Sequence, residues 1–159
     1  KATRPMSNKK RVTVDWHGSE VARAVEEAVL PPLKKCAVAV IREAKVSMRL
    51  AGGREGEPSE PGQPPNVQSG VLRSNINYAP ETVRDLFGRR TIVVVGPSRN
   101  AAYGRIHEHG ENVGGRQYPE RPFMAPALES AQRRFVQHFK NLRLAQTRAG
   151  RALNRKRRS

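Results

Sequence analysis

The sequence predicts an α+β fold: a small antiparallel sheet packed by a long N-terminal helix and a C-terminal helix, with a long Pro/Gly loop and basic tails. Three observations predict it. Apolar residues recur at helical spacing toward both ends of the 159-residue chain. A β-branched run lies in the middle. The strand-like segments follow one another there instead of alternating with helices, which argues against a parallel sheet. With 36% hydrophobic residues the chain can fill one small core.

The elements follow in order. Arg11 to Trp16 alternates, with Val12, Val14 and Trp16 on one side, as a short strand would. Gly18-Ser19 supplies a turn and a helix N-cap, and Glu20 stands in the first turn, where the helix dipole favours an acid. Val21, Val25, Ala28 and Val29 share a helical face, Pro31-Pro32 interrupts it, and Leu33, Ala37, Val40, Ile41, Ala44 and Met48 resume it. The expectation is a kinked long helix, or two helices in series, over about 19–50. Residues 51–68 hold four Gly and four Pro and read as a flexible loop. Ser69 to Ala79, with Val71, Leu72, Ile76 and Tyr78, reads as a short turn into a strand. Ile92-Val93-Val94-Val95 reads as a buried strand ended by Gly96-Pro97, and residues 80–89 connect the two as a hairpin. Ala101 to His109 reads as a short helix stopped by Gly110, and residues 111–122 as a second polar loop. Met124, Ala127, Leu128, Ala131, Phe135, Phe139 and Leu142 recur every three or four residues, predicting a helix over roughly 124–149 with Pro126 in its first turn. The domain reading is a basic arm at 1–10, a single domain at 11–149 and a basic tail at 150–159.

Charge is unevenly spread. Lys and Arg number 30 against 14 Asp and Glu, a net charge of +16. Residues 1–12 carry five cations and no acid, and residues 130–159 carry ten cations and no acid. The excess therefore sits at the ends of a nearly neutral body. Such ends suit contact with a phosphate backbone or an acidic protein surface, and Arg148, Arg151, Arg155, Lys156, Arg157 and Arg158 are the residues expected to make it. The basic N-terminal residues lead into no apolar segment, so no signal-peptide pattern is expected, and no apolar run is long enough for a membrane span.

Chemistry-bearing patterns are sparse. The single cysteine, Cys36, excludes an intramolecular disulfide framework and reads as inert packing on an apolar helix face. His107-Glu108-His109 places two histidines two residues apart; on a helix they point in different directions and do not converge on one ion. Gly52-Gly53 and Gly114-Gly115 lack the Lys-Ser/Thr of a phosphate loop, and no nucleophile elbow is present. Tyr103, Tyr118 and Phe123 sit at loop–helix junctions, where packing explains them better than base stacking. No catalytic, cofactor-binding or metal-binding residue is assigned, and the chain is not expected to be an enzyme.

Four segments together resemble the tail-completion or neck proteins of tailed phages, the family that includes the lambda tail-completion protein Z and related minor head–tail joining proteins. They are Pro61-Gly62-Gln63-Pro64-Pro65 leading to Ser69-Gly70-Val71-Leu72-Arg73; Val93-Val94-Val95-Gly96; Ala102-Tyr103-Gly104-Arg105-Ile106-His107-Glu108-His109-Gly110; and Pro119-Glu120-Arg121-Pro122-Phe123-Met124-Ala125-Pro126-Ala127-Leu128. The likeness runs from about residue 20 to 135 in the right order. It departs at Asn75, where a serine is common, and the basic tail beyond 143 is outside it. The resemblance implies a structural virion protein: a ring, sixfold or else twelvefold, in the neck between the head-side connector and the tail. Its partners would be neighbouring neck, connector and tail-tube proteins, with DNA passing through and contacted non-specifically. It would be assembled in the host cytoplasm. Leu72, Arg73, Tyr103, His107, Glu108, Arg121, Pro122 and Phe123 would serve structure and assembly, with Tyr103, Ile106 and His107 facing inward. Two other readings are open on the residues alone. One is a non-specific nucleic-acid-binding protein using its basic termini. The other is an enzyme using His107 and Glu108.

Overall fold

The computed structural model describes residues 17–50, 57–85, 88–143, 147, 150, 151 and 155. The expected strand of Val12, Val14 and Trp16, the basic arm, residues 51–56 of the Pro/Gly loop, and Arg148, Lys156, Arg157 and Arg158 lie outside the described residues.

A helix, α1 (Gly18–Leu50), spans one side of the molecule. It runs unbroken through Pro31 and Pro32 as one element, not two in series. Its first turn begins one residue before Ser19, so Ser19 is inside the helix, while Glu20 holds the expected first-turn position. What carries the helix across the prolines is a buried row at intervals of four: Ala24, Ala28, Pro32, Cys36, Val40, Ala44 and Met48. Side chains four apart lie on one face, so this row forms a continuous stripe. In the N-terminal half the stripe consists of Ala24 and Ala28, not the expected Val21 and Val25, which are exposed. Packing sets that choice: the tip of the sheet meets α1 at Glu26, and the segment after the last helix meets it beside Ala28 and Pro32.

A single-turn helix, α2 (Val71–Ser74), leads into β1 (Ile76–Asp85), which pairs antiparallel with β2 (Gly88–Pro97). The register places Tyr78 opposite Val95, Pro80 opposite Val93 and Thr82 opposite Thr91. The ladder thus consumes nearly all of 80–89, the expected connection. Nor is Ile92 to Val95 fully buried: Val93 and Val95 are half-buried, whereas Ile92 and Val94 are exposed, Val94 at 47%. A two-stranded ribbon with period-two side chains can press only one face on the helix. Glu26 on α1 holds that face, accepting from Arg89 Nη2 at 3.0 Å and from Thr82 Oγ1 at 3.3 Å.

A 3₁₀ turn (Arg99–Ala101) and α3 (Gly104–His109) follow, replacing the single helix expected over 101–109. Gly110 ends α3 at φ 61°, a backbone region open to glycine, as expected. The second polar loop contains a small hairpin, β3 (Glu111–Val113) with β4 (Arg116–Tyr118). Gly114 and Gly115, at φ 60° and 80°, make its two-residue turn. The expected long C-terminal helix is instead α4 (Met124–Gln132) and α5 (Phe135–Phe139), separated at Arg133-Arg134. The break leaves Ala127 and Ala131 buried and Leu128 and Val136 exposed.

The core lies where α1, α2, the base of β1 and α4 meet, built from Val40, Ala44, Met48, Leu72, Ile76, Ala101, Phe123, Ala127 and Ala131. The three core alanines on α1 and α4 (Ala44, Ala127, Ala131) let the two helices lie close, and Phe123, fully buried, is the largest group between the layers. Among the described residues no helix is long and apolar enough to cross a membrane.

Pro31 is exposed and lacks the N–H that would pair with the carbonyl of Glu27. Pro31→Ala is expected to stabilise the protein by about 1–2 kcal/mol after the greater freedom of the unfolded chain is deducted. Thermal unfolding reads this as a rise in Tm of about 2–8 °C.

Candidate functional site

The N-terminus of α4 is capped from another element. A helix leaves its first N–H groups without intrahelical partners, and here the local chain supplies no side-chain cap, because Phe123 occupies the N-cap position. Glu108 on α3 does the work instead. Its Oε2 accepts from the backbone N–H of Phe123 and of Met124, each at 2.9 Å, and its Oε1 from that of Ala125 at 2.8 Å. The next residue, Pro126, has no N–H to satisfy. One carboxylate and one proline therefore settle the whole first turn, with the negative charge at the positive end of the helix dipole.

Backbone ties surround this cap. Arg121 N–H donates to the His107 carbonyl, at 2.6 Å, and Gly62 N–H donates to the Glu120 carbonyl at 2.8 Å. Arg121 Nε donates to the Ser59 carbonyl at 2.8 Å. Residues 57–68, expected as part of a flexible loop, are thus fastened to the approach to α4, and Ser59 and Pro65 are buried. On the other side of α3, Gly104 lets the helix approach: a Cβ there would lie 2.7 Å from Pro97 Cγ and 2.8 Å from Leu72 Cδ1. Arg73 Nε donates to the Lys45 carbonyl at 3.1 Å, placing a cation near the negative end of α1.

Between the docked loop, the last turns of α1 and α3 lies a cleft of ≈ 100 Å³. Arg73, Tyr103, His107 and Arg121 line it together with Ser59 and Gly70, and no carboxylate is among its lining residues. Tyr103 is 40% exposed and meets the His107 ring edge-on, with centroids 5.9 Å apart. It borders the cleft instead of facing inward as expected, whereas Ile106 and His107 are half-buried. Burial lowers the His107 pKa from its ordinary 6.5, and the Arg121 guanidinium lowers it further.

Comparison with known proteins finds no family model, no curated protein and no solved structure that matches this chain.

The assembly residues singled out by sequence divide into three groups. Leu72 and Phe123 are core residues, at 8% and 0% exposure, and Leu72 shows only an edge, at the cleft. Glu108 and the half-buried Pro122 belong to the start of α4. Arg73, Tyr103, His107 and Arg121 share the cleft. Arg151 and Arg155 are exposed. Sequence reasoning missed Ser59 and the capping role of Glu108, since a cap donated from 15 residues away has no local spacing rule. Pro126 following an uncapped Phe123 was the available signal.

Among the described residues no three His, Cys, Asp or Glu side chains cluster to hold a metal ion. His107 is half-buried and His109 exposed. Cys36 is buried and its thiol pKa is raised by burial, which keeps it protonated and unreactive.

A second feature is a groove of ≈ 430 Å³ between α1 and α5, lined by Lys34, Lys35, Arg42, Arg134 and His138. Glu43 also lines it and pairs there with Arg134. The cations of 133–143 therefore ride on the folded body, where the sequence suggested a neutral body with charge confined to the ends.

Two outcomes follow from this geometry. Glu108→Ala is expected to cost about 2–3 kcal/mol, since it strands three first-turn donors, and Glu108→Gln about half of that; thermal unfolding of the two variants checks both. The folded protein binds a proton at His107 less readily than the unfolded chain. Stability should therefore fall as pH drops through 6.5 and level off below the lowered folded value. Denaturant titrations from neutral pH to about pH 5 should show this component in the wild type and not in His107→Gln.

Proposed function

We propose that the protein is a structural component of the tailed-phage neck, a ring-forming tail-completion or head–tail joining subunit through which DNA passes. The observation that carries this reading is the convergence of the segments that resemble that family. The Pro/Gly loop, the α3 segment and the start of α4 meet around Glu108 and Arg121, Leu72 packs at Gly104 of α3, and Val95 and Gly96 line a small pocket together with Glu108 and Phe123. Segments spread from residue 61 to 128 thus behave as one structural unit, which supports reading them as one family pattern.

Two further features support assembly. The outward face of the β1–β2 ribbon leaves Ile92 and Val94 uncovered in a single chain. Arg73, Tyr103, His107 and Arg121, once Leu72 and Phe123 are set aside as core, remain accessible around one cleft. On this reading the protein has no catalysis and takes no cofactor; its work is geometric, in a homo-oligomeric ring of six subunits or else twelve. It sits in the virion at the head–tail junction, between connector and tail-tube proteins.

Electron microscopy of a lysate from a phage lacking this gene tests the reading. Filled heads beside unattached tails are expected, and irregular or overlong tail ends would single out tail completion. Normal joined particles would overturn it.

A second reading, non-specific nucleic-acid binding, is favoured by the cations of the groove between α1 and α5 and by the exposed Arg151 and Arg155. It expects duplex affinity that falls steeply with salt, with a log–log slope of about −0.9 per phosphate contacted. It also expects removal of 143–159 to reduce that slope while the fold survives. A flat salt response would set it aside.

A further inference from the structure

We propose that the cleft beside α3 is a receptor for a carboxylate on an alkyl stem, an acidic side chain presented by an adjoining protein subunit. This deepens the assembly reading by naming the chemistry of one contact, and it rests on that reading only for where the carboxylate comes from.

The unexplained group is Ser59. It is 6% exposed and lines the cleft, and its Oγ is buried without a hydrogen-bond partner among the described residues. A buried hydroxyl with nothing to bond costs stability, so an occupant that accepts from it is the natural completion. The two guanidiniums point to the sign of that occupant. Arg73 and Arg121 each use Nε on a backbone carbonyl, of Lys45 and of Ser59. Their Nη donors have no hydrogen-bond or ion-pair partner among the described residues. A guanidinium fixed by Nε and open at Nη is preset for a planar, two-oxygen acceptor.

The walls decide between anions. Met48, Pro65 and Leu72 give the cleft an apolar side, which suits the methylenes of a Glu or Asp stem. A backbone phosphate diester would carry a polar sugar on each side into the same walls. The cleft, ≈ 100 Å³, has room for a carboxylate side-chain terminus. His107 at the margin, kept neutral at neutral pH by burial and by Arg121, can donate or accept one further bond without opposing the anion.

The test is an NMR titration of the isolated full chain with sodium propionate, against sodium chloride at matched ionic strength and against inorganic phosphate. Propionate should give saturable shifts confined to the backbone amides of Ser59, Gly70, Arg73 and His107. Ser59→Ala should weaken propionate binding about tenfold, by loss of one hydrogen bond to a charged group. It should leave Tm unchanged or raise it, because in the free protein that hydroxyl has no bond to lose. Arg73→Gln should weaken binding at least as much, while Arg116→Gln on the β3–β4 hairpin, which does not line the cleft, should not. Shifts no greater than those from chloride would overturn the proposal. So would a Ser59→Ala variant that binds like wild type, or phosphate binding in place of propionate. The titration uses no phage particles, so its failure and the failure of the neck reading are separately visible.

Discussion

The carboxylate of Glu108 is the fixed point around which this chain closes. Three backbone N–H groups at the start of α4 have no acceptor within their own segment, and those of Phe123 and Met124 are partly shielded from the water that would otherwise serve them. The cap must therefore come from elsewhere, and only a side chain held to within a few tenths of an ångström can supply it. That requirement accounts for the surroundings. Gly104 allows α3 to press against Leu72 and Pro97, Gly110 turns the chain sharply after the helix, and the His107 carbonyl takes the Arg121 N–H. Arg121 in turn fastens Ser59, so the loop before α2 is positioned by the same short stretch.

The long helix answers a different constraint. Its buried row of small and medium residues gives α4 a close approach without bulky interdigitation, and an aromatic-poor chain can then make a core from alanines around a single phenylalanine. The strip is continuous across Pro31 and Pro32 because packing on both sides outweighs the missing hydrogen bonds, as tertiary contacts routinely do against local propensity.

The parts of the fold written in local periodicity were legible. The helical stripe from Ala37 to Met48, the turn into Ile76 and the stop at Gly110 all follow from spacing or from glycine's freedom at positive φ. What failed depended on partners distant in sequence. The valines of β2 look buried because they are β-branched and consecutive, yet a two-stranded ribbon has only one covered face. The pattern of Met124 to Leu142 is helical throughout, but the chain turns at Arg133-Arg134, leaving Leu128 and Leu142 exposed. The small hairpin at Gly114-Gly115 had its signal in plain view, a two-residue glycine turn, with flanking strands too polar and short to draw notice. Within the candidate site the residue types were legible from the family-like pattern. Their division into core, cap and cleft was not, because it depends on which side of α3 each neighbour occupies.

His107 and Glu108 are consecutive, yet one looks into the cleft and the other holds the end of α4. One residue step of α3, about 100°, thus joins two places that the chain links again between Arg121 and Phe123. A group in the cleft that shifts α3 would act through Glu108 on the first amides of α4, whose hydrogen bonds end on that carboxylate. The amide hydrogens of Phe123, Met124 and Ala125 are therefore a built-in gauge of what happens on the far side of α3, readable without a label on either surface.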